Sequence, residues 1–197
     1  MLHIEKITVG LYQTNVYLFW QEGEKTCCIV DPGYEPETIL ERVRELGLTV
    51  EAILLTHSHF DHVGGVKTIA ADTGCRVFLC PEELTMPPQL TAGRLYYTDT
   101  YQDGDKLTLA GTGFTVLRTP GHTPGSVCLL AEDVMFSGDT LFAGSCGRTD
   151  LPGGNASRMK ASLARIAALE GDYRVLPGHG GVTTLEHERQ NNPYLSL

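Results

Sequence analysis

Three histidines and an aspartate, His57, His59, Asp61 and His62, stand close together in the stretch Thr56-His57-Ser58-His59-Phe60-Asp61-His62-Val63-Gly64-Gly65. Imidazole nitrogens and a carboxylate at this density form the donor set of zinc or another first-row metal ion. The chemistry on offer is metal-assisted, with an ion that ionises water or polarises a carbonyl at neutral pH. His57 and His59 alternate, so an extended backbone points both rings the same way. Asp61 and His62 follow at once and turn toward a neighbouring ion.

Three more positions share this setting. His122 sits between Pro120-Gly121 and Pro124-Gly125. Asp139 follows Val134-Met135-Phe136 and a Ser-Gly pair. His179 lies in Pro177-Gly178-His179-Gly180, after Tyr173-Arg174-Val175-Leu176. Each comes just past an apolar run of strand length, as the first cluster comes after Ala52-Ile53-Leu54-Leu55. Sites of open α/β sheets collect at such strand ends. Asp31, in Asp31-Pro32-Gly33, reads as a turn former at the end of Thr26–Val30. His3 and His187 stand beside no ligand motif and are expected to be dispensable for metal.

The elements that must position these residues can be read in outline. Leu2–Val9, Asn15–Trp20, Thr26–Val30, residues 75–80 and Tyr173–Leu176 read as strands. Lys106–Leu109 pairs with Phe114–Arg118 across a Gly-rich turn, and Ser126–Leu130 pairs with Val134–Phe136. Residues 37–46 read as a helix with Ile39, Leu40, Val43 and Leu46 on one face and Gly47 as its stop. Residues 66–73 and 157–170 give two more, and the Thr183-Thr184-Leu185-Glu186 stretch caps a closing helix. Residues 81–104 are irregular, and Pro87-Pro88 blocks a helix there. In that stretch Tyr96, Tyr97 and Tyr101 pack the loop onto the core or wall a cleft. Each half of the chain gives several strands and then a helix, a weak duplication.

At 197 residues the expected organisation is one domain, 1–197, with ample core. A net charge of −9 argues against phosphate-backbone binding. The six cysteines form no Cys-x-x-Cys pair and read as reduced thiols, most of them buried. No signal-peptide core and no run of membrane-spanning length is visible. The expectation is a cytoplasmic protein with a small-molecule substrate and neither a nucleic-acid nor a membrane partner. Oligomeric state is not readable.

The motif T-H-x-H-x-D-H-x-G-G resembles the signature of the metallo-β-lactamase superfamily, in the form used by glyoxalase II and related hydrolases. The resemblance continues through Asp31-Pro32-Gly33, Thr119-Pro120-Gly121-His122-Thr123-Pro124-Gly125-Ser126, Ser137-Gly138-Asp139-Thr140 and Pro177-Gly178-His179-Gly180. Gly147-Arg148-Thr149-Asp150 and the tail from Glu188-Arg189 to Asn192-Pro193 are similar to the short glyoxalase-like members.

The resemblance implies an α/β fold, the four-layer αββα sandwich. It implies two divalent metal ions, zinc first, with iron or manganese as alternatives. His57, His59 and His122 would hold one, Asp61, His62 and His179 the other, with Asp139 between them. Asp61 and Asp139 are then the catalytic carboxylates, and Asp31 supports the metal loop by hydrogen bonding. The implied reaction is cleavage of a small acyl thioester such as S-lactoylglutathione by a metal-bound hydroxide. A thiolate leaving group, with a pKa of about 8.5 as a free thiol, needs little acid help.

A persulfide dioxygenase on the same scaffold is the alternative, with one iron on His57, His122 and Asp139. Ser145-Cys146-Gly147-Arg148-Thr149-Asp150 supports it, whereas Phe60–Gly65 and Pro177–Gly180 fit it less well. Class B β-lactamases are set aside on the histidine after the aspartate and on their secretion. Arg148 and Asp150 contact substrate or form a loop salt bridge. The resemblance implies a member of the short kind, without the C-terminal helical domain with which full-length glyoxalase II grips glutathione, which leaves acyl group and thiol carrier open.

Overall fold

The computed structural model describes residues 1–195. Its first sheet has six strands in sequence order: β1 (Leu2–Val9), β2 (Thr14–Gln21), β3 (Thr26–Val30), β4 (Thr49–Leu54), β5 (Arg76–Leu79) and β6 (Asp99–Thr100). β1, β2 and β3 are antiparallel neighbours, and β3 to β6 run parallel. The parallel pairs need crossovers, which α1 (Pro36–Glu45) supplies between β3 and β4. Between β4 and β5 the crossover is made by α2 (Phe60–Val63) and α3 (Val66–Thr73).

The second sheet contains β7 (Lys106–Leu109), β8 (Thr112–Arg118), β9 (Val127–Ala131), β10 (Val134–Gly138), β13 (Arg174–Pro177) and β14 (Thr183–Thr184). Its order is β14-β13-β10-β9-β8-β7. A small hairpin, β11 (Leu141–Phe142) with β12 (Ser145–Cys146), stands apart from it. α4 (Ala156–Ala167) is the crossover between β10 and β13, which pair in parallel, and α5 (Leu185–Asn191) follows β14.

Three apolar cores separate four layers. Ile39, Leu40 and Val43 of α1 and Val66, Ile69 and Ala70 of α3 pack on Ile29, Ile53 and Val77 of the first sheet. Between the sheets, Tyr17, Phe19, Val30 and Leu54 meet Phe114, Val116, Leu129 and Phe136. On the far side Met159, Leu163 and Ile166 of α4 and Leu185 of α5 cover Cys128, Met135 and Val175. Each fully buried aliphatic or aromatic side chain in these layers contributes roughly 1.5–3 kcal/mol. Strands covered on both faces account for the near-continuous apolar runs in the sequence. The result is the expected αββα sandwich, with the two halves of the weak duplication each supplying one sheet and its helices.

Local differences from the sequence reading have local causes. The helix expected over 157–170 stops at Ala167, where Ala168 closes it and Leu169 turns back on Ile166. Its start is capped by Asn155, whose side chain accepts the Arg158 N–H at 2.9 Å. The three tyrosines separate. Tyr101 is fully buried and donates its hydroxyl to Leu55 O, whereas Tyr96 and Tyr97 remain exposed. Among the described residues no helix is long and apolar enough to cross a membrane.

All six cysteines are free, and only Cys146 is incompletely buried. Burial pushes Cys27 and Cys80 up to about 12 and Cys128 to about 11, and it raises the other three as well. Thiolate is the reactive form. A disulfide reagent at pH 8 should therefore modify Cys146 alone, and slowly, in the folded protein, and all six thiols once guanidinium unfolds it. Two rapidly reacting thiols in the folded state would contradict this packing.

Candidate metal centre

Every expected site residue lies beyond the C-terminal end of a strand, and the sandwich brings those ends together. Asp31 follows β3, the His57 cluster follows β4, His122 follows β8, Asp139 follows β10 and His179 follows β13. The two sheets are stitched across this end. Thr56 O accepts the Val127 N–H at 2.9 Å, and Gly178 O accepts the Asn15 N–H at 2.7 Å.

The first cluster changes backbone type midway. His57 and His59 sit in non-helical chain, and one turn of helix, α2, begins at Phe60. Successive helical residues lie about 100° apart, so alternation stops there. Asp61 and His62 thereby leave the side that His57 and His59 share. The outcome is two groups of potential ligand atoms, each within 4.8 Å of one another: His57, His59 and His122 in one, Asp61, His62 and His179 in the other.

Asp139 stands between them. Its Oδ2 is 3.5 Å from His122 Nε2 and 3.5 Å from His179 Nε2, and its Oδ1 is 3.4 Å from His62 Nε2. His62 Nε2 and His179 Nε2 are 3.2 Å apart, and His59 Nδ1 is 2.8 Å from His122 Nε2. Gly178 allows the approach, since a Cβ there would fall 2.3 Å from Asp139 Oδ1 and 2.6 Å from His62 Cε1.

The back nitrogens of four rings are tied to the protein. His122 Nδ1 donates to Arg148 O at 2.8 Å, His179 Nδ1 to Tyr12 O at 3.0 Å and His62 Nδ1 to Asp31 Oδ2 at 3.0 Å. Thr56 Oγ1 donates to Asp31, so it accepts from His57 Nδ1 at 3.1 Å. With Nδ1 protonated in each, the four Nε2 lone pairs are left for a cation. His57 Nε2, His59 Nε2 and Asp139 Oδ1 are buried without a hydrogen-bond partner. Orphaned polar atoms of this kind are costly unless something satisfies them. The donor set therefore fits divalent metal.

Asp31, His57 and His62 form a third possible group. Asp31 is a poor ligand there, because both its oxygens already accept, from Thr56 N–H at 2.8 Å and from Thr56 Oγ1 and His62. It acts as the support that the D-P-G motif suggested.

The electrostatics divide the site. Burial sets His57 well below the ordinary imidazole value and brings His59 down to about 4, with neighbouring His122 adding to the effect on both. Burial also opposes charge on His62, yet Asp139, the Asp31 hydrogen bond and Asp61 outweigh it and push that ring up to about 9. His179 is likewise raised against burial by its contact with Asp61. Burial would lift Asp61, but His179 and His62 hold it below the usual carboxylate range. His57 and His59 thus present neutral nitrogen donors, the side of Asp61, His62 and His179 attracts positive charge, and cations at the centre satisfy both.

Several supporting residues carried no sequence signal. Thr14 Oγ1 donates to Asp61 Oδ2 at 3.3 Å. Asn15 Nδ2 and Tyr17 Oη both donate to Pro177 O, at 3.0 and 2.8 Å, and so fix the His179 loop. Glu83, fully buried on the 3-10 turn Pro81–Thr85, accepts Ser58 N–H at 2.8 Å, the Ser58 hydroxyl, and Gly125 N–H at 2.7 Å. It clamps the His57–His59 loop to the His122 loop. Arg148 and Asp150 form the loop salt bridge, through two contacts of 2.7 Å. His3 stacks on Trp20, and His187 lies on α5; neither joins the metal groups.

A sequence pattern for the metallo-beta-lactamase superfamily matches residues 9–179, and this chain belongs to that superfamily. It is similar to hydroxyacylglutathione hydrolase GloC of Haemophilus influenzae, with 35% identity over 210 residues that cover 99% of each protein. Among solved structures it is similar to BLEG-1 B3 metallo-beta-lactamase, with a TM-score of 0.92 and 35% identity over 99% of this chain and 100% of that one. TTHA1623 in a di-iron-bound form gives 0.86 and 38%, over 97% and 100%. ETHE1 from Myxococcus xanthus gives 0.84 and 29%, over 97% and 83%.

Proposed function

We propose that this chain is a binuclear metal-dependent hydrolase of small acyl thioesters, with a glutathione thioester such as S-lactoylglutathione as substrate. The observation that carries the reading is the pair of three-residue groups meeting at Asp139. His57, His59 and His122 would hold one ion and Asp61, His62 and His179 the other. The likeness to GloC over nearly the whole of both chains supports the substrate class, and the di-iron form of TTHA1623 supports two ions. Zinc is the expected metal, with iron or manganese as replacements. Bound divalent ions lower the pKa of a coordinated water from 15.7 to about 7 and polarise a carbonyl.

The chain's own residues do the rest. Asp31, Thr56, Tyr12 O and Arg148 O hold four imidazoles in one tautomer and orientation. Asp61 and Asp139 balance the cationic charge. Asp139 Oδ1, free of hydrogen bonds, is the acceptor for the proton of the attacking water. The carbonyl carbon gains that oxygen, the C–S bond breaks with its electron pair on sulfur, and the proton ends on the thiolate or in solvent.

One observation favours a second reading, the iron-dependent persulfide dioxygenase: Cys146 lines the cavity beside His122. Against it, Asp61, His62 and His179 are fully assembled as a second group, and burial pushes the Cys146 thiol up. The test loads the protein separately with zinc and iron. Thioester cleavage of S-lactoylglutathione is followed in one set, O₂ uptake with glutathione persulfide in another, and β-lactam hydrolysis in a third because of the likeness to BLEG-1. Zinc-supported thioester cleavage that survives Cys146→Ser is expected. Iron-dependent O₂ uptake abolished by Cys146→Ser, without thioester cleavage, would replace this reading by the second.

A further inference from the structure

Resting on the binuclear reading, we propose that Tyr12, in the turn between β1 and β2, is a positioning residue for the second ligand group alone, and that this turn sets whether the chain holds one metal ion or two. The second group is Asp61, His62 and His179.

The turn is itself fixed. Gly10 has a φ of 67°, and a Cβ there would fall 2.4 Å from Tyr34 Cδ2. Its N–H donates to Glu35 Oε1 at 3.1 Å, and its carbonyl accepts the Gln13 N–H at 3.1 Å. Gln13, left-handed at a φ of 52°, then leads the chain into β2. Tyr34 and Glu35 stand just before α1, so the turn is docked on the scaffold of the first sheet.

From this base the turn reaches both pieces of the second group, which lie in opposite halves of the chain. Toward His179, Tyr12 O accepts the Nδ1 proton at 3.0 Å, and Thr14 forms an isolated antiparallel bridge with His179 itself. Asn15 N–H donates to Gly178 O at 2.7 Å, and Asn15 Nδ2 to Gly180 O at 3.0 Å. Toward α2, the Tyr12 ring meets the Phe60 ring edge to face, with centroids 5.3 Å apart and planes at 81°. Phe60 opens α2, and Asp61 and His62 follow it directly. Tyr12 therefore holds His179 by its carbonyl and the Asp61–His62 turn by its ring.

The first group rests on other supports. Thr56 holds His57, Arg148 O holds His122, and Glu83 joins the Ser58 and Gly125 loops. Among the described residues, 10–15 make no hydrogen bond or ring contact with His57, His59 or His122. The two groups thus meet at Asp139 but are assembled by separate scaffolds. Tyr12 is also 59% exposed and belongs to none of the three apolar cores. Its ring can be removed without emptying a core, so its loss acts on the site rather than on the fold.

The test uses full-length protein and zinc, with affinities read by competition against a chelator. Tyr12→Ala should keep one ion at wild-type affinity and bind the other about 10–100-fold more weakly. Tyr12→Phe keeps ring and carbonyl and should restore the second ion. Leu11→Ser, a change at a neighbouring residue that is 99% exposed, should match wild type. Tyr12→Ala combined with His62→Ala should bind zinc as His62→Ala alone does, because both act on the same ion. Wild-type affinity for two ions in Tyr12→Ala, equal weakening of both ions, or failure of Tyr12→Phe to restore the second would overturn the proposal. If wild type itself holds one ion only, the binuclear reading fails, and the proposal is decided by the imidazole nitrogen resonances of His179, assigned by their loss in His179→Ala. A protonated Nδ1 in wild type and Tyr12→Phe that gives way to mixed tautomers in Tyr12→Ala would uphold the positioning role. Identical signals in all three would overturn it.

Discussion

Asp139→Ala should leave a folded protein that retains at most one tightly bound metal ion and hydrolyses thioesters on the order of 10³-fold more slowly than wild type. Asp139 touches both ligand groups: Oδ2 lies 3.5 Å from a nitrogen of each, and Oδ1 stands buried and unpaired beside His62. Among the described residues no other carboxylate spans that gap, because Asp61 is committed to the His62–His179 side and to Thr14. Elemental analysis of metal-replete wild type should approach two equivalents per chain. His62→Ala should fall to about one, since it removes a ligand from one group only. His3→Ala and His187→Ala should match wild type. Two full equivalents and near-normal turnover in Asp139→Ala, with circular dichroism confirming the fold, would defeat the binuclear assignment.

The candidate metal-binding residues were legible because metal chemistry restricts residue type and spacing more severely than packing does. Seven residues of ligand type, each just past an apolar run, could be listed without knowing how the strands pair. The same holds for β3 and for the helix carrying Ile39, Leu40 and Val43, whose period and stop signals agree. What escaped was the scaffolding around the ligands. Thr14, Asn15 and Tyr17 lie in an aromatic, β-branched stretch whose pattern says strand and nothing of the His179 loop. The roles of Asn15 and Tyr17 arise only when β2 is brought against a loop 160 or more residues away along the chain. Tyr96, Tyr97 and Tyr101 looked alike in sequence, and only the pairing of β5 with β6 decides that Tyr101 faces the core. The helical turn at Phe60 was hidden because four residues are too few to show a period.

Glu83→Ala should be the most damaging change outside the ligands. Glu83 lies in the stretch 81–104 that the sequence leaves irregular, yet it is fully buried and accepts from Ser58 N–H, the Ser58 hydroxyl and Gly125 N–H. Removing it leaves three buried donors without an acceptor, at about 1–3 kcal/mol each. Some of this is offset, because burial already pushes the Glu83 carboxyl up against those same hydrogen bonds and its charge is costly to bury. A net loss of about 3–5 kcal/mol is expected, large against a typical total of about 5–15 kcal/mol. The damage should also reach the metal. Ser58 separates His57 from His59, and Gly125 follows His122 by three residues, so loosening both loops releases all three ligands of one ion together. Supporting interactions of this kind are worth about 10–100-fold in metal affinity. Glu83→Gln keeps the volume and one acceptor oxygen but turns an amide N–H toward a donor, so its effect should fall between Ala and wild type. Urea unfolding with and without zinc, and zinc competition against a chelator, measure the two effects separately. If Glu83→Ala unfolds within 1 kcal/mol of wild type and holds zinc as tightly, the two loops are fixed by something other than this carboxylate.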